Sequence, residues 1–145
     1  MNIMEVKFSA KSENESLARV IVASFAAKLD PTIDELSDIK TAVSEAVTNA
    51  IIHGYEEDET KFVHMRCELI ENTIKVVVED YGKGIEDIEE AKQPMFTSKP
   101  ELERSGMGFS FMEAFMDRLE VVSTPGEGTV VKMEKTIGKG RRLWT

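Results

Sequence analysis

Residues 63–79 contain two β-strand patterns separated by a short turn. Apolar side chains alternate with polar ones over residues 63–69, which indicates a strand with one buried face. A valine-rich run over residues 74–79 follows the turn at residues 71–72 and predicts a central strand covered on both faces. Because so short a link joins neighbouring antiparallel strands, we expect a hairpin here.

Two helix patterns precede this hairpin. The first follows a capping-box sequence, Ser12 with Glu15 three residues later, and the second follows a similar one, Thr32 with Glu35. The second helix is predicted to end at Gly54, in a left-handed C-cap conformation. Helical spacing predicts its core-facing residues to be Ile39, Val43, Ala46, Val47 and Ala50.

The first helix has two interpretations. Its apolar stripe at helical spacing is predicted to face the core and consists of Leu17, Val20, Ile21, Ser24, Phe25 and Leu29. Its opposite face carries Arg19, Val22, Ala23 and Ala26, which is small and apolar for a solvated surface. Either the helix is buried on two sides, or this face is a partner or dimer surface centred on Arg19.

The order of the elements defines the fold class. Alternating residues predict a first strand around residues 4–8, and after the hairpin come a helix near residues 108–116 and two strands near residues 119–123 and 129–133. This order predicts an α+β fold, a two-layer α/β sandwich with helices packed on one face of a mixed, mainly antiparallel sheet. We expect one domain over residues 1–137 and a basic, flexible tail over residues 138–145.

Charge and cysteine content narrow the function classes. Asp and Glu outnumber Lys and Arg by 27 to 18, so the net charge is −9, which argues against nucleic-acid binding through a basic face. The single cysteine, Cys67, excludes a disulfide within the chain, and two histidines do not supply a histidine-rich metal site. No apolar run reaches the ~18–20 residues of a membrane span, and no signal-peptide pattern opens the chain, so we expect a cytoplasmic protein.

Glu45 and Asn49 lie four residues apart on the second helix, so their side chains share one side of it, away from the core stripe. A carboxylate suits a general base, and an amide oxygen suits Mg²⁺, which often takes only one or two protein oxygens beside phosphates. The same spacing also occurs on solvated helix faces, so the pair alone leaves both interpretations open.

Three glycine-containing segments are further candidates. Residues 80–84 (DYGKG) directly follow a buried strand, where Asp80 can accept a hydrogen bond from an exocyclic amine and glycine lets a ligand approach the backbone. Residues 105–108 (SGMG) precede a helix, where backbone N–H groups can bind an anion. Residues 126–129 (GEGT) precede the last strand. Taken singly, each segment also has a purely structural interpretation. Residues 80–84 could be an ordinary turn, residues 105–108 a flexible joint and residues 126–129 a hairpin turn.

Taken in order, the four segments resemble the sequence boxes of the GHKL ATPases, a superfamily that includes gyrase, histidine kinases and MutL. The matching segments are residues 45–50 (EAVTNA), 80–84 (DYGKG), 105–109 (SGMGF) and 126–129 (GEGT). Residues 44–55 and 96–109 are, in addition, similar to the anti-sigma factor serine kinases of sporulation. The resemblance extends over nearly the whole chain.

The resemblance implies the GHKL, or Bergerat, ATP-binding fold, with ATP or ADP and Mg²⁺ as ligands. Glu45 would polarise the attacking hydroxyl, and Asn49 would hold Mg²⁺. Asp80 would read the adenine amino group, with the hydroxyl of Thr129 nearby. The other implied nucleotide-binding residues are Gly82 and Gly84 at the adenine, Ser105, Gly106, Gly108 and Phe109 at the phosphates, and Lys99 and Arg104 in an ATP lid over residues 85–107.

For function, the resemblance implies an anti-sigma factor that sequesters a sporulation sigma factor. It also implies a homodimer and an ATP-dependent kinase that phosphorylates a serine of an anti-anti-sigma protein, and we expect Arg19 on the partner-binding surface. The alternative is a nucleotide-gated protein-binding module without kinase activity, in which Glu45 would be dispensable. The catalytic fragment of a histidine kinase is disfavoured, since 145 residues leave no room for a phosphoacceptor domain.

Overall fold

The computed structural model describes residues 1–92 and 108–138. Five strands form one sheet in the order β1-β2-β3-β5-β4. The strands are β1 (Asn2–Ser9), β2 (Phe62–Ile70), β3 (Thr73–Asp80), β4 (Arg118–Thr124) and β5 (Gly128–Thr136). The helices are α1 (Glu13–Ala26), α2 (Ile33–Thr48), α3 (Ile88–Ala91) and α4 (Gly108–Phe115), with a 3₁₀ turn at Ala27–Leu29 and a π-helical turn at Asn49–Gly54.

The predicted α+β sandwich is confirmed, with a difference in the sheet. Each of the four strand pairings is antiparallel, so the sheet has no parallel pair among the strands described and is not mixed. α1 and α4 both pack against α2, and these helices cover one face of the sheet. The short helix α3 lies within residues 85–107, the ATP lid that the resemblance implies.

The central strand β3 has one buried face rather than two. Its alternate residues Ile74, Val76 and Val78 are buried beneath the helices, and Asp80 ends this row. The residues between them are half-buried on the other face, so the prediction of cover on both sides was wrong. In an antiparallel sheet one face can remain open to solvent, and here this face carries charged side chains such as Arg66.

α2 begins as its sequence predicts. The Thr32 hydroxyl oxygen accepts the backbone N–H of Glu35 at 3.1 Å, and the Glu35 carboxylate accepts the N–H of Thr32 at 2.8 Å, which completes a capping box. The predicted stripe is buried along the whole helix, namely Ile39, Val43, Ala46, Val47 and Ala50.

α1 departs from its prediction at its start. Ser12 precedes the helix but makes no capping hydrogen bond through its side chain, so the first predicted capping box is absent. The Glu15 carboxylate turns away from the helix N-terminus and accepts the hydroxyl of Ser44 on α2. A hydrogen bond between two helices has replaced the capping hydrogen bond that was predicted within α1.

The faces of α1 are also assigned differently. Its buried residues are Ala18, Val22, Phe25 and Ala26. Leu17 and Val20, which were predicted to face the core, are 47% and 62% exposed. The buried face of α1 thus combines small side chains with the ring of Phe25, whereas Leu17 and Val20 remain outside. Within the described ranges, no helix is both long and apolar enough to cross a bilayer.

Candidate functional site

Asp80, the last residue of β3, forms the floor of the candidate site. It is only 3% exposed, and it lies directly opposite Thr129 of β5 in the sheet register. The backbone N–H of Gly82 donates to Asp80 Oδ1 at 2.9 Å. The structure therefore brings together Asp80, Gly82 and Thr129, three residues that the sequence singled out for one pocket.

Glycines surround this carboxylate because nothing larger fits. A Cβ placed on Gly54 would lie 2.6–2.7 Å from the carboxyl atoms of Asp80. A Cβ on Gly82 would overlap the carbonyl group of Gly54, and one on Gly128 would overlap the backbone of Asp80. Glycine at these three positions therefore allows the chain to approach closely around Asp80.

The predicted reason for glycine at position 54 needs correction. Gly54 does not have a positive φ, so it does not end its helix in the left-handed conformation that was expected; it is glycine because Asp80 lies against it. Gly82 likewise lacks a positive φ, whereas Gly84 has one, at +77°. A Cβ on Gly84 would also meet the carbonyl of Thr124, so this glycine lets the loop pack on the β4–β5 turn.

Burial raises the pKa of Asp80 to about 6, against an ordinary value of 3.8. The backbone N–H groups of Gly82 and Thr129 act in the opposite direction, because they donate to the carboxylate and favour its charged form, while the neighbouring Glu79 raises the pKa a little further. A buried carboxylate that still has acceptor capacity is suited to bind a ligand donor such as an amine.

The raised pKa of Asp80 is expected to make stability depend on pH. Between pH 3.8 and about 6 the folded state keeps a proton that the unfolded chain has released. The free energy of unfolding should therefore fall as the pH rises through this window, by up to roughly 3 kcal/mol from this one group. Urea unfolding of the wild type and of Asp80→Asn at pH 4 and pH 7 measures it, since the variant lacks this component. A difference between the two proteins that is the same at both pH values would contradict the prediction.

Thr129 presents its hydroxyl beside Asp80 in a defined orientation. Ser123 Oγ donates to the carbonyl of Gly128 at 3.0 Å and accepts the backbone N–H of Ile85 at 2.8 Å. Because the single proton of Ser123 is used in this way, Thr129 Oγ1, 2.9 Å away, must donate to Ser123. The lone pairs of Thr129 Oγ1 therefore remain as acceptors next to Asp80. Sequence reasoning missed Ser123, and only its place beside the GEGT segment could have indicated it.

Glu45 and Asn49 lie where α2 changes its geometry. Glu45 is in the last turn of the α-helix, and Asn49 begins the π-helical turn, in which the N–H of Tyr55 donates to the carbonyl of Ala50 at 2.9 Å. Both side chains are half-buried. π-Helical turns inside helices are frequent at functional sites. This turn ends at Gly54, so it leads directly from the Glu45–Asn49 pair to the floor of the pocket.

The N-terminus of α4 lies at the start of the second described range. Gly108 begins the helix, and the ring of Phe109 is buried in the core, so only the backbone of these residues is available to a ligand. The first N–H groups of a helix have no partner within it and favour anions. The residues outside the described ranges are the predicted phosphate contacts Lys99, Arg104, Ser105 and Gly106, most of the predicted lid, and residues 139–145 of the basic tail.

One hydrogen bond joins the segment after α3 to α4. The hydroxyl of Ser110 on α4 donates to the carbonyl of Lys92, just after α3, at 3.0 Å. Lys92 therefore lies beside the first turn of α4.

Arg19 lies on α1, outside this pocket. Its side chain is 41% exposed, and its Nε forms an ion pair with Glu15 at 3.2 Å. Val22 and Ala26, the neighbours predicted to share its surface, are buried, so that part of the prediction was wrong. The exposed large apolar residues of α1 are instead Leu17 and Val20.

Solved structures of other proteins have a similar fold. The RsbU and RsbW domains of a Mycobacterium tuberculosis protein match with a TM-score of 0.69 at 17% identity, over 94% of this chain and 33% of that one. The catalytic domain of histidine kinase ThkA matches with a TM-score of 0.57 at 19% identity, over 94% of this chain and 99% of that one. At these identities the likeness concerns the fold.

Comparison with sequences identifies relatives over almost the whole length. The model of the histidine kinase-like ATPase domain matches residues 8–135. The anti-sigma F factor of Caldanaerobacter subterraneus subsp. tengcongensis is 59% identical over 140 residues, 97% of either chain. The anti-sigma F factor of Clostridium perfringens strain SM101 is 63% identical over 134 residues, 92% of this chain and 96% of that protein.

The chain therefore belongs to the family of histidine kinase-like ATPase domains, as the buried aspartate and its glycines already indicate. Within that family, its identity to relatives places it among the anti-sigma F factors.

Proposed function

We propose that this protein is an anti-sigma factor that binds a sigma factor and, as an ATP-dependent protein serine kinase, phosphorylates an anti-anti-sigma protein. The observation that carries the proposal is the buried Asp80 in its glycine floor, joined by one π-helical turn to Glu45 and Asn49. The names of relatives that are about 60% identical support the choice of a sigma factor as partner.

In the proposed complex, Asp80 accepts a hydrogen bond from the amino group of adenine. Its Oδ1 already accepts the N–H of Gly82, and a carboxylate offers further lone pairs for a ligand donor. Thr129 adds an acceptor beside it, and Gly82 and Gly84 let the loop after Asp80 pack closely against Gly54 and Thr124. The backbone of Gly108 and Phe109 at the N-terminus of α4 faces the phosphates, with Lys99, Arg104, Ser105 and Gly106 as further proposed contacts.

Asn49 is the proposed ligand of Mg²⁺. The described residues contain no group of three or more His, Cys, Asp or Glu side chains that could hold a metal by themselves. This suits Mg²⁺, which keeps several waters and is held by one or two protein oxygens together with phosphates. When bound, the ion would neutralise charge on the phosphates during transfer.

Glu45 is the proposed general base. It takes the proton of the substrate serine hydroxyl as the serine oxygen forms its bond to the γ-phosphorus, and the bond from that phosphorus to the β,γ-bridging oxygen breaks, which leaves ADP. Its place on α2, four residues before Asn49, holds base and metal ligand on one rigid element. Positioning and charge compensation supply most of the rate acceleration in such transfers.

The proposed partner surface is the part of α1 around Arg19, whose side chain is 41% exposed. Arginine is frequent among the residues that dominate an interface, because its planar guanidinium binds acidic groups in a fixed geometry. The net charge of −9 would favour the approach of a basic partner. We also propose a homodimer, as the resemblance implies.

Arg19→Ala is expected to weaken binding to the sigma factor or the anti-anti-sigma protein by more than about 1 kcal/mol, roughly a factor of five or more. Its melting temperature and ATP affinity should hardly change, because a surface ion pair such as that with Glu15 contributes little stability. Titration calorimetry with each partner measures the effect.

Arg66→Ala is a matched control, because Arg66 is exposed to the same extent, 42%, and is also paired with carboxylates, but lies on the open face of the sheet. If Arg19→Ala loses stability and keeps its partner affinity, α1 uses Arg19 for its own packing. If both variants lose equal partner affinity, the loss comes from the change in overall charge and not from the position of Arg19.

The proposed function is tested with the purified protein, Mg²⁺-ATP and the sigma and anti-anti-sigma proteins of the same organism. We expect a complex with the sigma factor and ATP-dependent phosphate on a serine of the anti-anti-sigma protein, located by mass spectrometry. Sigma-factor binding without any phosphate transfer would instead favour the nucleotide-gated binding module.

A further inference from the structure

Tyr55 follows the π-helical turn and joins three segments through one buried hydroxyl. Tyr55 is only 8% exposed. Its hydroxyl donates to the carbonyl of Phe62, at the start of β2, at 2.7 Å. The same oxygen accepts the backbone N–H of Tyr81 at 2.8 Å. Tyr81 is the residue directly after Asp80, so this hydroxyl holds the chain at the end of the strand that carries the carboxylate.

Three successive backbone N–H groups of this loop are fixed in turn. That of Tyr81 donates to the Tyr55 hydroxyl, that of Gly82 to Asp80 Oδ1 at 2.9 Å, and that of Lys83 to the carbonyl of Gly54 at 3.0 Å. Two of the three acceptors belong to Gly54 and Tyr55, at the end of the π-helical turn. The loop that follows Asp80 is therefore held by the π-helical turn, which begins at Asn49.

We propose that the Tyr55 hydroxyl is a positioning residue for Asp80 and so sustains the preference of the site for adenine over guanine. The inference rests on the proposed function of Asp80 as acceptor of the adenine amino group. Guanine carries a carbonyl oxygen where adenine carries this amine. A firmly held acceptor at this position therefore forms a hydrogen bond with adenine and not with guanine. Without the hydroxyl, the N–H of Tyr81 and the carbonyl of Phe62 lose their partner, and the carboxylate loses its fixed orientation.

Tyr55→Phe, which removes the hydroxyl and keeps the ring, tests this directly. Titration calorimetry with Mg²⁺-ADP and Mg²⁺-GDP should show ADP affinity lowered about fivefold to tenfold, as expected for one lost hydrogen bond, with the weak GDP affinity nearly unchanged. The matched control is Tyr81→Phe, which loses the same atom from an exposed ring whose hydroxyl donates to Glu79. Its ADP-to-GDP ratio should stay that of the wild type.

A double-mutant cycle separates this inference from the proposed function. If Tyr55 acts through Asp80, adding Tyr55→Phe to Asp80→Asn should cause no further loss of ADP affinity. If Asp80→Asn alone leaves ADP affinity unchanged, the proposed role of Asp80 fails. If Asp80→Asn weakens ADP binding while Tyr55→Phe only lowers the melting temperature and keeps the ADP-to-GDP ratio, Tyr55 is merely structural and the inference is overturned.

Hydrogen exchange on the wild type provides a test that does not depend on the variant folding. The amides of Tyr81 and Lys83 should be protected even without nucleotide, because their acceptors belong to the protein itself. Exchange of the Tyr81 amide at the rate of an unfolded chain would show that the tyrosine does not hold the loop and would overturn the inference.

Discussion

Glu45→Gln is expected to slow phosphate transfer to the anti-anti-sigma protein ~10²–10⁴-fold, the usual contribution of a positioned general base. Glutamine keeps the size and the helix position of glutamate but cannot take the hydroxyl proton. ATP affinity should remain close to that of the wild type, because the proposed nucleotide contacts lie at Asp80, Asn49 and α4. Single-turnover transfer from labelled ATP, together with calorimetry for ATP itself, measures the two quantities separately.

Glu59→Gln provides the control, since Glu59 is an exposed carboxylate in the loop before β2 and its loss changes the net charge equally. Its transfer rate should be that of the wild type. Transfer by Glu45→Gln within a few-fold of the wild type would remove Glu45 from the mechanism and favour a binding module in which nucleotide only controls partner affinity.

Gly82→Ala is expected to lower ATP affinity by at least about tenfold and to cost roughly 1–3 kcal/mol of stability. The added methyl group would overlap the carbonyl of Gly54, and backbone cannot swing aside as the end of a long side chain can. The loop must then move away from the π-helical turn, and its hydrogen bond to Asp80 Oδ1 moves with it. Calorimetry and thermal unfolding measure the two effects.

Gly126→Ala is the matched variant for this substitution. Gly126 lies in the β4–β5 turn with no atom within 4 Å of an added Cβ, although its φ of +82° makes alanine unfavourable there. It should therefore lose about 1–2 kcal/mol of stability through its backbone alone and keep its ATP affinity. Equal affinity losses at both positions would show that Gly82 acts through general stability and not through the pocket.

Two capping-box sequences in this chain show how far local sequence determines structure. Thr32 with Glu35 forms the box, and the second carboxylate oxygen of Glu35 also accepts the backbone N–H of Gly138 at 2.8 Å. Ser12 with Glu15 has the same spacing but does not form it. Glu15 faces α2 across the helix interface, where it accepts the hydroxyl of Ser44 and pairs with Arg19. Only the packing of the two helices decides between these outcomes.

Helical periodicity was likewise sufficient for α2 and insufficient for α1. The apolar stripe of α2 is unambiguous, and it is buried as predicted. α1 is apolar on both sides, so hydrophobicity favoured the face with the larger residues, Leu17 and Val20. Packing against α2 instead buries the face that carries Ala18, Val22 and Ala26 together with Phe25. The residues that remain exposed on α1, among them Arg19, depend on which face of the helix is buried.

The sequence by itself determined the order of strands and helices, the α+β class and the family, because periodicity and short motifs are properties of consecutive residues. It also named Asp80, Gly82 and Thr129 for one pocket. Only the tertiary structure showed that Gly54 must be glycine, that Tyr55 holds the loop after Asp80, and that burial raises the pKa of that carboxyl to about 6. Each of these depends on atoms from segments more than twenty residues apart in the chain, and their distances are set by packing alone.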